Sequence, residues 1–132
     1  MDARPALDLA GAVLKWLALA FAAPAVVALT DGESVLPFVI SGAAVGLVGF
    51  GLDRLTPDRS GLVLGPREVF LVVALIWVAV PAFGALPFLL GGVRQLSDPV
   101  DAYFEAMSGF TATGATVLTH IDALGRAMLF WR

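Results

Sequence analysis

A chain of 132 residues that is 59% hydrophobic, only 14% charged and of mean hydropathy +0.91 is too apolar for a water-soluble globular domain and reads as a polytopic membrane protein. Its net charge of −3 offers no basic surface to neutralise phosphates, which excludes nucleic-acid binding. With no cysteine and one histidine, His120, it has no disulfide framework, thiolate metal site, cysteine nucleophile or histidine-rich metal site.

Crossing a hydrocarbon core of about 30 Å takes about 20 apolar residues in a helix, and three runs are long enough. The first covers residues 7–29. It exceeds a signal-peptide core of about 7–15 residues, and no small-residue cleavage site follows, so it reads as a retained span. Lys15 inside it invites a functional reading as an intramembrane charge. The simpler reading is a side chain close enough to the end of the helix to snorkel. The second run, 35–52, has Pro37 near its start, where proline is tolerated. It also carries Gly42-x-x-x-Gly46 followed by Gly49 and Gly51, a spacing that lets two helices approach closely in lipid. The alternative is a glycine-rich helix with no special face. The third run, 67–90, contains Trp77, Pro81 and Pro87. Pro24, Pro81 and Pro87 each free a carbonyl and are expected to kink their helices. Trp16 and Trp77 are expected to be packing residues and Trp131 an interfacial anchor. A fourth apolar run starts near Leu124.

Loop charges orient these spans. The 53–68 connection holds Arg54, Arg59 and Arg67, whereas 30–34 holds Asp31 and Glu33 and no base. After the third run a single base, Arg94, stands against Asp98 and Asp101. An excess of arginine marks the cytoplasmic side, so the N-terminus and loop 53–68 are expected inside and 91–123 outside.

Between the third and fourth runs, residues 97–110 read as a short helix. Asp98 suits the N-cap, Pro99 the first helical position and Asp101 the first turn, with Gly109 as the stop. About 10–12 helical residues span about 15–18 Å, half a bilayer. Thr111, Ala112, Thr113, Gly114, Ala115 and Thr116 follow. Small residues allow extended backbone, and Gly114 permits unusual dihedrals, so successive carbonyls can replace part of an ion's hydration shell. A helix that enters from outside also points the negative end of its dipole at that ion. No carboxylate stands in the filter run, which favours a weakly hydrated monovalent cation. Glu105, two turns inside the helix, is expected to be buried with a hydrogen-bonding partner rather than to touch the ion. The pattern is a re-entrant pore loop between spans, and an ordinary surface helix and loop is the simpler alternative.

At these residues the chain resembles the Trk/Ktr/HKT superfamily of potassium transporters, in its TrkH-like branch. The resemblance is carried by Asp101-Ala-Tyr-Phe-Glu-Ala-Met-Ser-Gly-Phe-Thr-Ala-Thr-Gly-Ala-Thr-Val-Leu, then by Ile121-Asp122 and Phe130-Trp131-Arg132. It implies an all-α membrane protein with three transmembrane helices, a re-entrant pore helix plus filter loop, and the start of a fourth transmembrane helix. Residues 1–66 would be an extra helix pair with its cytoplasmic loop. Residues 67–132 would be the first of four helix–pore-loop–helix repeats around one pore, truncated early in its inner helix. By the same resemblance Gly114 is the filter glycine, and Ala112, Thr113, Gly114 and Ala115 line the ion path. Potassium would be held by the carbonyls of Ala112, Thr113 and Gly114. Ala112 stands where many relatives have threonine, so a hydroxyl ligand is absent here.

The implied setting is the bacterial cytoplasmic membrane. The implied partners are the lipid bilayer, three further pore-loop repeats of the same protein, a second copy, and a cytosolic nucleotide-binding regulatory subunit of the TrkA type. No cofactor is implied; potassium is the transported substrate. No nucleophile–base pair, phosphate loop or metal-ligand cluster points to an enzyme. The competing readings are a complete small membrane protein with a structural or assembly role, and a one-loop subunit of a homotetrameric cation channel.

Overall fold

The computed structural model describes residues 4–55 and 65–132. The described residues outside turns and loops are helical. In chain order the helices are α1 (Arg4–Ala20), α2 (Ala22–Asp31), α3 (Leu36–Leu55), α4 (Pro66–Gly84), α5 (Leu86–Leu90), α6 (Pro99–Phe110) and α7 (Arg126–Trp131). Three stretches are long and apolar enough to cross a membrane: Ala6–Asp31, Leu36–Leu55 and Pro66–Leu90. Arg59, one of the orienting arginines, lies outside the described residues.

The first and third spans are each two helices rather than one. Proline has no amide hydrogen and cannot bond the carbonyl four residues back, so a helix loosens one turn before it. Span one breaks at Phe21, just ahead of Pro24, and span three at Ala85, just ahead of Pro87. Pro81 behaves differently, because α4 runs through it without interruption. All three proline rings are fully buried in the bundle. Pro37 and Ser41 are also buried in α3, where the Ser41 hydroxyl donates back to the Pro37 carbonyl at 2.6 Å.

The α1–α3 pair is the largest helix–helix interface. Gly42 and Gly46 both face α1, near Ala18, as the small-residue spacing leads one to expect. The tightest approach lies one turn further along. A Cβ on Gly49 would stand 3.0 Å from the Gly11 carbonyl oxygen and 3.0 Å from the Lys15 side chain. Lys15 does more than snorkel, because its ammonium pairs with Asp53 near the end of α3 and lies 5.7 Å from the centre of the Phe50 ring. Two expectations about tryptophan fail. Trp16 and Trp77 are 74% and 48% exposed, so they face outward from the bundle. The bundle interior is filled by smaller side chains, and these two project from the outer faces of α1 and α4.

Among the described residues a hydrophobic core runs from Leu14 through Phe21, Phe38, Phe88 and Leu96 to Met128. It therefore joins the helices before residue 66 to those after it. Both α3 and α7 pack on elements of the other half, α3 on α5 and α7 on α2. Ala102 and Ala106 of α6, and Leu118 after the loop, are part of this core.

Candidate functional site

The α6 helix starts as its sequence dictates. The Asp98 carboxylate accepts from the Val100 amide at 2.7 Å, Pro99 takes the first helical position, and Asp101 sits in the first turn. Twelve residues follow, about 18 Å of helix. The end differs from expectation: Gly109 is helical, and the turn out of the helix is made at Ala112, with φ of +54°. The Thr113 amide donates to the Ser108 carbonyl at 3.0 Å and the Ala112 amide to the Gly109 carbonyl at 3.1 Å. These are the two bonds of a Schellman ending. Glycine usually holds that left-handed position; alanine accepts a strain of about 1–2 kcal/mol there. Gly109 has another reason to lack a side chain, since a Cβ would stand 2.6 Å from the Arg132 carbonyl oxygen.

The loop then runs away from the helix end, and it is held by side chains of α6. Ser108 donates to the Ala115 carbonyl at 2.6 Å. Glu105 is 1% exposed and accepts from the Thr116 hydroxyl at 2.9 and 3.0 Å and from the Val117 amide at 3.2 Å. It also pairs with the Arg132 guanidinium. Glu105 is thus buried and fully engaged, as expected. Thr111 donates to the Met107 carbonyl at 2.7 Å and lies 2.7 Å from the Thr113 hydroxyl. Further along, the Gln95 carboxamide clamps the outgoing limb, its oxygen accepting from the Thr119 and His120 amides at 2.8 and 3.2 Å.

These bonds divide the six residues of the run. Thr111, Ala115 and Thr116 are tied into the scaffold through their side chains or carbonyl. Among the described residues, no donor reaches the carbonyls of Ala112, Thr113 or Gly114. Gly114 has φ of +75°, and a Cβ there would meet nothing within 4 Å. Its backbone conformation, rather than space within this chain, is what requires glycine. The whole run 111–116 is exposed.

The last residue of α6 packs beside the breaks in spans one and three. The Trp131 ring lies 4.4 Å from that of Phe21 and 6.2 Å, edge-on, from that of Phe110. Its indole N–H donates to the Gly84 carbonyl at 2.9 Å. Trp131 is therefore a packing residue that takes up a carbonyl freed at the α4–α5 break, and not an interfacial anchor. Phe110, the last residue of α6, sits at the level of both helix breaks. Those breaks lie about 8–15 Å from the ends of their spans at Leu90 and Asp31, at 1.5 Å per residue.

Sequence reasoning missed the ties that fix α7. The Glu33 carboxylate accepts from the Arg126 amide at 2.7 Å and the Ala127 amide at 3.2 Å, and Arg126 pairs with Asp31 at 3.1 Å. A Cβ on Gly125 would stand 2.5 Å from the Glu33 carboxylate. The available signal was an acidic pair in a very short loop with no base beside it. Glu33 caps a helix that begins more than ninety residues later, which no local pattern reveals.

No family model matches this chain. It is 38% identical over 135 residues to the Trk system potassium uptake protein TrkH of Halomonas elongata, covering 100% of this chain and 27% of that protein. It is 36% identical to TrkH of Vibrio parahaemolyticus, again over 100% of this chain and 27% of the relative. To the Trk system potassium uptake protein TrkG of Escherichia coli it is 35% identical, covering 90% of this chain and 24% of the relative. The crystal structure of the potassium transporter TrkH from Vibrio parahaemolyticus superposes with a TM-score of 0.90 at 32% identity, over 99% of this chain and 28% of that one. The chain thus spans about a quarter of the length of the curated relatives it matches.

Proposed function

We propose that this chain, a TrkH-like N-terminal portion and a multi-pass membrane protein, contributes one pore loop to a potassium-uptake pore, with an additional helix pair ahead of it. Ions pass it; nothing is chemically transformed. In this reading α6 is re-entrant, and the Ala112, Thr113 and Gly114 carbonyls coordinate potassium. The observation that carries the proposal is the division within the loop. Ser108 and Glu105 hold Ala115 and Thr116 against the helix, while the three preceding carbonyls have no donor among the described residues. An extended backbone at membrane depth is tolerable only where it is buried in protein or faces a water-filled path. Carbonyls left free on a braced loop suit a cation that replaces its water with them. The level of Phe110, beside both helix breaks, supports the half-depth placement.

The same reading puts the chain in a bacterial cytoplasmic membrane with its N-terminus inside, on the arginine asymmetry of the loops. Three more pore-loop repeats, a second copy and a TrkA-type regulatory subunit are its proposed partners. The test is a chimera in which this chain replaces the matching portion of TrkH from Vibrio parahaemolyticus, reconstituted in liposomes. The chimera should carry potassium, and Gly114→Ser should loosen its discrimination against sodium. Unchanged discrimination in that variant would show that this loop is not the filter. Alone, the 132-residue chain should give no flux, because one loop supplies one side of a site that needs about four. Robust potassium-selective flux from it would favour a homotetramer instead.

A further inference from the structure

We infer that Glu105 and Arg132 form a positioning pair that carries the placement of α7 to the Ala112–Gly114 carbonyls; the inference rests on the filter reading above. The starting point is that Glu105 carries a charge its loop contacts do not require. A neutral carboxamide oxygen could accept from the Thr116 hydroxyl and the Val117 amide equally well. The carboxylate is explained by its third partner, Arg132 at the end of α7. Burying one charge without the other would be strongly unfavourable, so the two residues are bound to each other's position.

The surroundings favour coupling over simple packing. An open groove of about 300 Å³ is lined by residues of α6, the loop and α7, Glu105, Ala112, Gly114, Leu129 and Arg132 among them. The Arg132–Glu105–Thr116 chain of polar contacts joins the end of α7 to the loop. A displacement of α7 therefore reaches the loop through directional bonds. The loop receives it just after the carbonyls that matter: Thr116 and Ala115 are pinned to Glu105 and Ser108, one turn apart on the same face of α6. At the other end, the Schellman bonds to Ser108 and Gly109 hold Ala112 and Thr113. The free carbonyls of Ala112, Thr113 and Gly114 lie between the bonds that hold the Ala112 and Thr113 amides and those that hold Ala115 and Thr116, and the second set answers to α7.

The experiment uses the chimera described above, in which the helix continues past Arg132, and reads potassium flux, potassium-over-sodium discrimination and the amount of folded protein. Glu105→Gln, Arg132→Gln and Thr116→Val should each lower discrimination about tenfold, the scale of one lost charge-assisted hydrogen bond, while flux persists. The double variant E105Q/R132Q should be no worse than either single one, because all three changes interrupt one chain of contacts. If Glu105→Gln leaves Arg132 unpaired and the protein does not fold, the neutral double variant and Thr116→Val, which touches no charge, decide. Native discrimination in folded Thr116→Val and E105Q/R132Q would overturn the inference and leave Glu105 a purely structural residue. Gly114→Ser in the same chimera separates the two levels. If it loosens discrimination and the pair variants do not, the pair falls and the filter stands. If it does not, the filter reading itself falls.

Discussion

The α1–α3 pair and the α6 loop both bring backbone close to something else, and they do so by opposite means. Between α1 and α3 the means is absence: Gly11, Gly42, Gly46 and Gly49 leave out side chains, and helix meets helix at backbone distance. Each helix has already satisfied its own amides and carbonyls, so close packing is all the interface must supply. The loop after α6 has no internal ladder. It imports its bonds from Glu105, Ser108 and Gln95, side chains reaching out of neighbouring elements. Helical backbone can be brought close by small residues alone; extended backbone must be held by polar ones.

Removing the polar brace should be the most damaging change. Glu105→Ala strands the Arg132 charge and the Val117 amide, and we expect a loss of about 3–5 kcal/mol, read as a large fall in the thermal unfolding midpoint in detergent. A loss below about 1 kcal/mol would mean that the loop does not depend on its brace. The corresponding attack on the helix pair is Gly49→Val, which drives a side chain into the Gly11 carbonyl and the Lys15 stem. Overpacking of this kind costs about 1–3 kcal/mol. The same variant should separate α1 from α3, lowering disulfide cross-linking between cysteines placed at Ala18 and Gly42. Undiminished cross-linking would show that the interface does not need the glycine.

Smaller effects sharpen the contrast. Ala112→Gly should relieve the left-handed strain and stabilise the loop by about 1 kcal/mol, whereas Ala112→Val, branched at Cβ, should destabilise it. Equal stability of the two variants would show that the +54° turn is not held in the folded protein. The smallest effect belongs to Gly51→Ala. A Cβ at Gly51 meets nothing within 4 Å, so the change should raise stability by about 0.5–1 kcal/mol through helix propensity alone. A destabilised Gly51→Ala in unfolding measurements would place Gly51, like Gly49, in a contact.

The parts of this protein that were legible in its sequence are those governed by local rules. Length and apolarity mark three spans, the Asp98-Pro99 start marks α6, and Pro24 and Pro87 mark where spans one and three break, whereas Pro81 breaks nothing. The helix end was misread at Gly109 because alanine holds the left-handed turn at Ala112, a choice that propensity alone argues against. The 111–116 run was visible as a unit, but its division into braced and free carbonyls was not. That division depends on Glu105 and Ser108 facing the loop once the chain has turned back on α6. Trp131 illustrates the same limit. Composition suggests an interfacial anchor, yet the indole finds a freed carbonyl at Gly84, which exists only because α4 has ended there. Spans, the α6 start and the breaks ahead of Pro24 and Pro87 follow from neighbours within a turn or two, so the amino-acid order alone determined them. The pairings of Glu105 with Arg132, Lys15 with Asp53 and Glu33 with the start of α7 join residues 27 to 94 positions apart. Only the folded bundle decided those, because buried charges and unpaired amides take whichever partner the tertiary packing brings within reach.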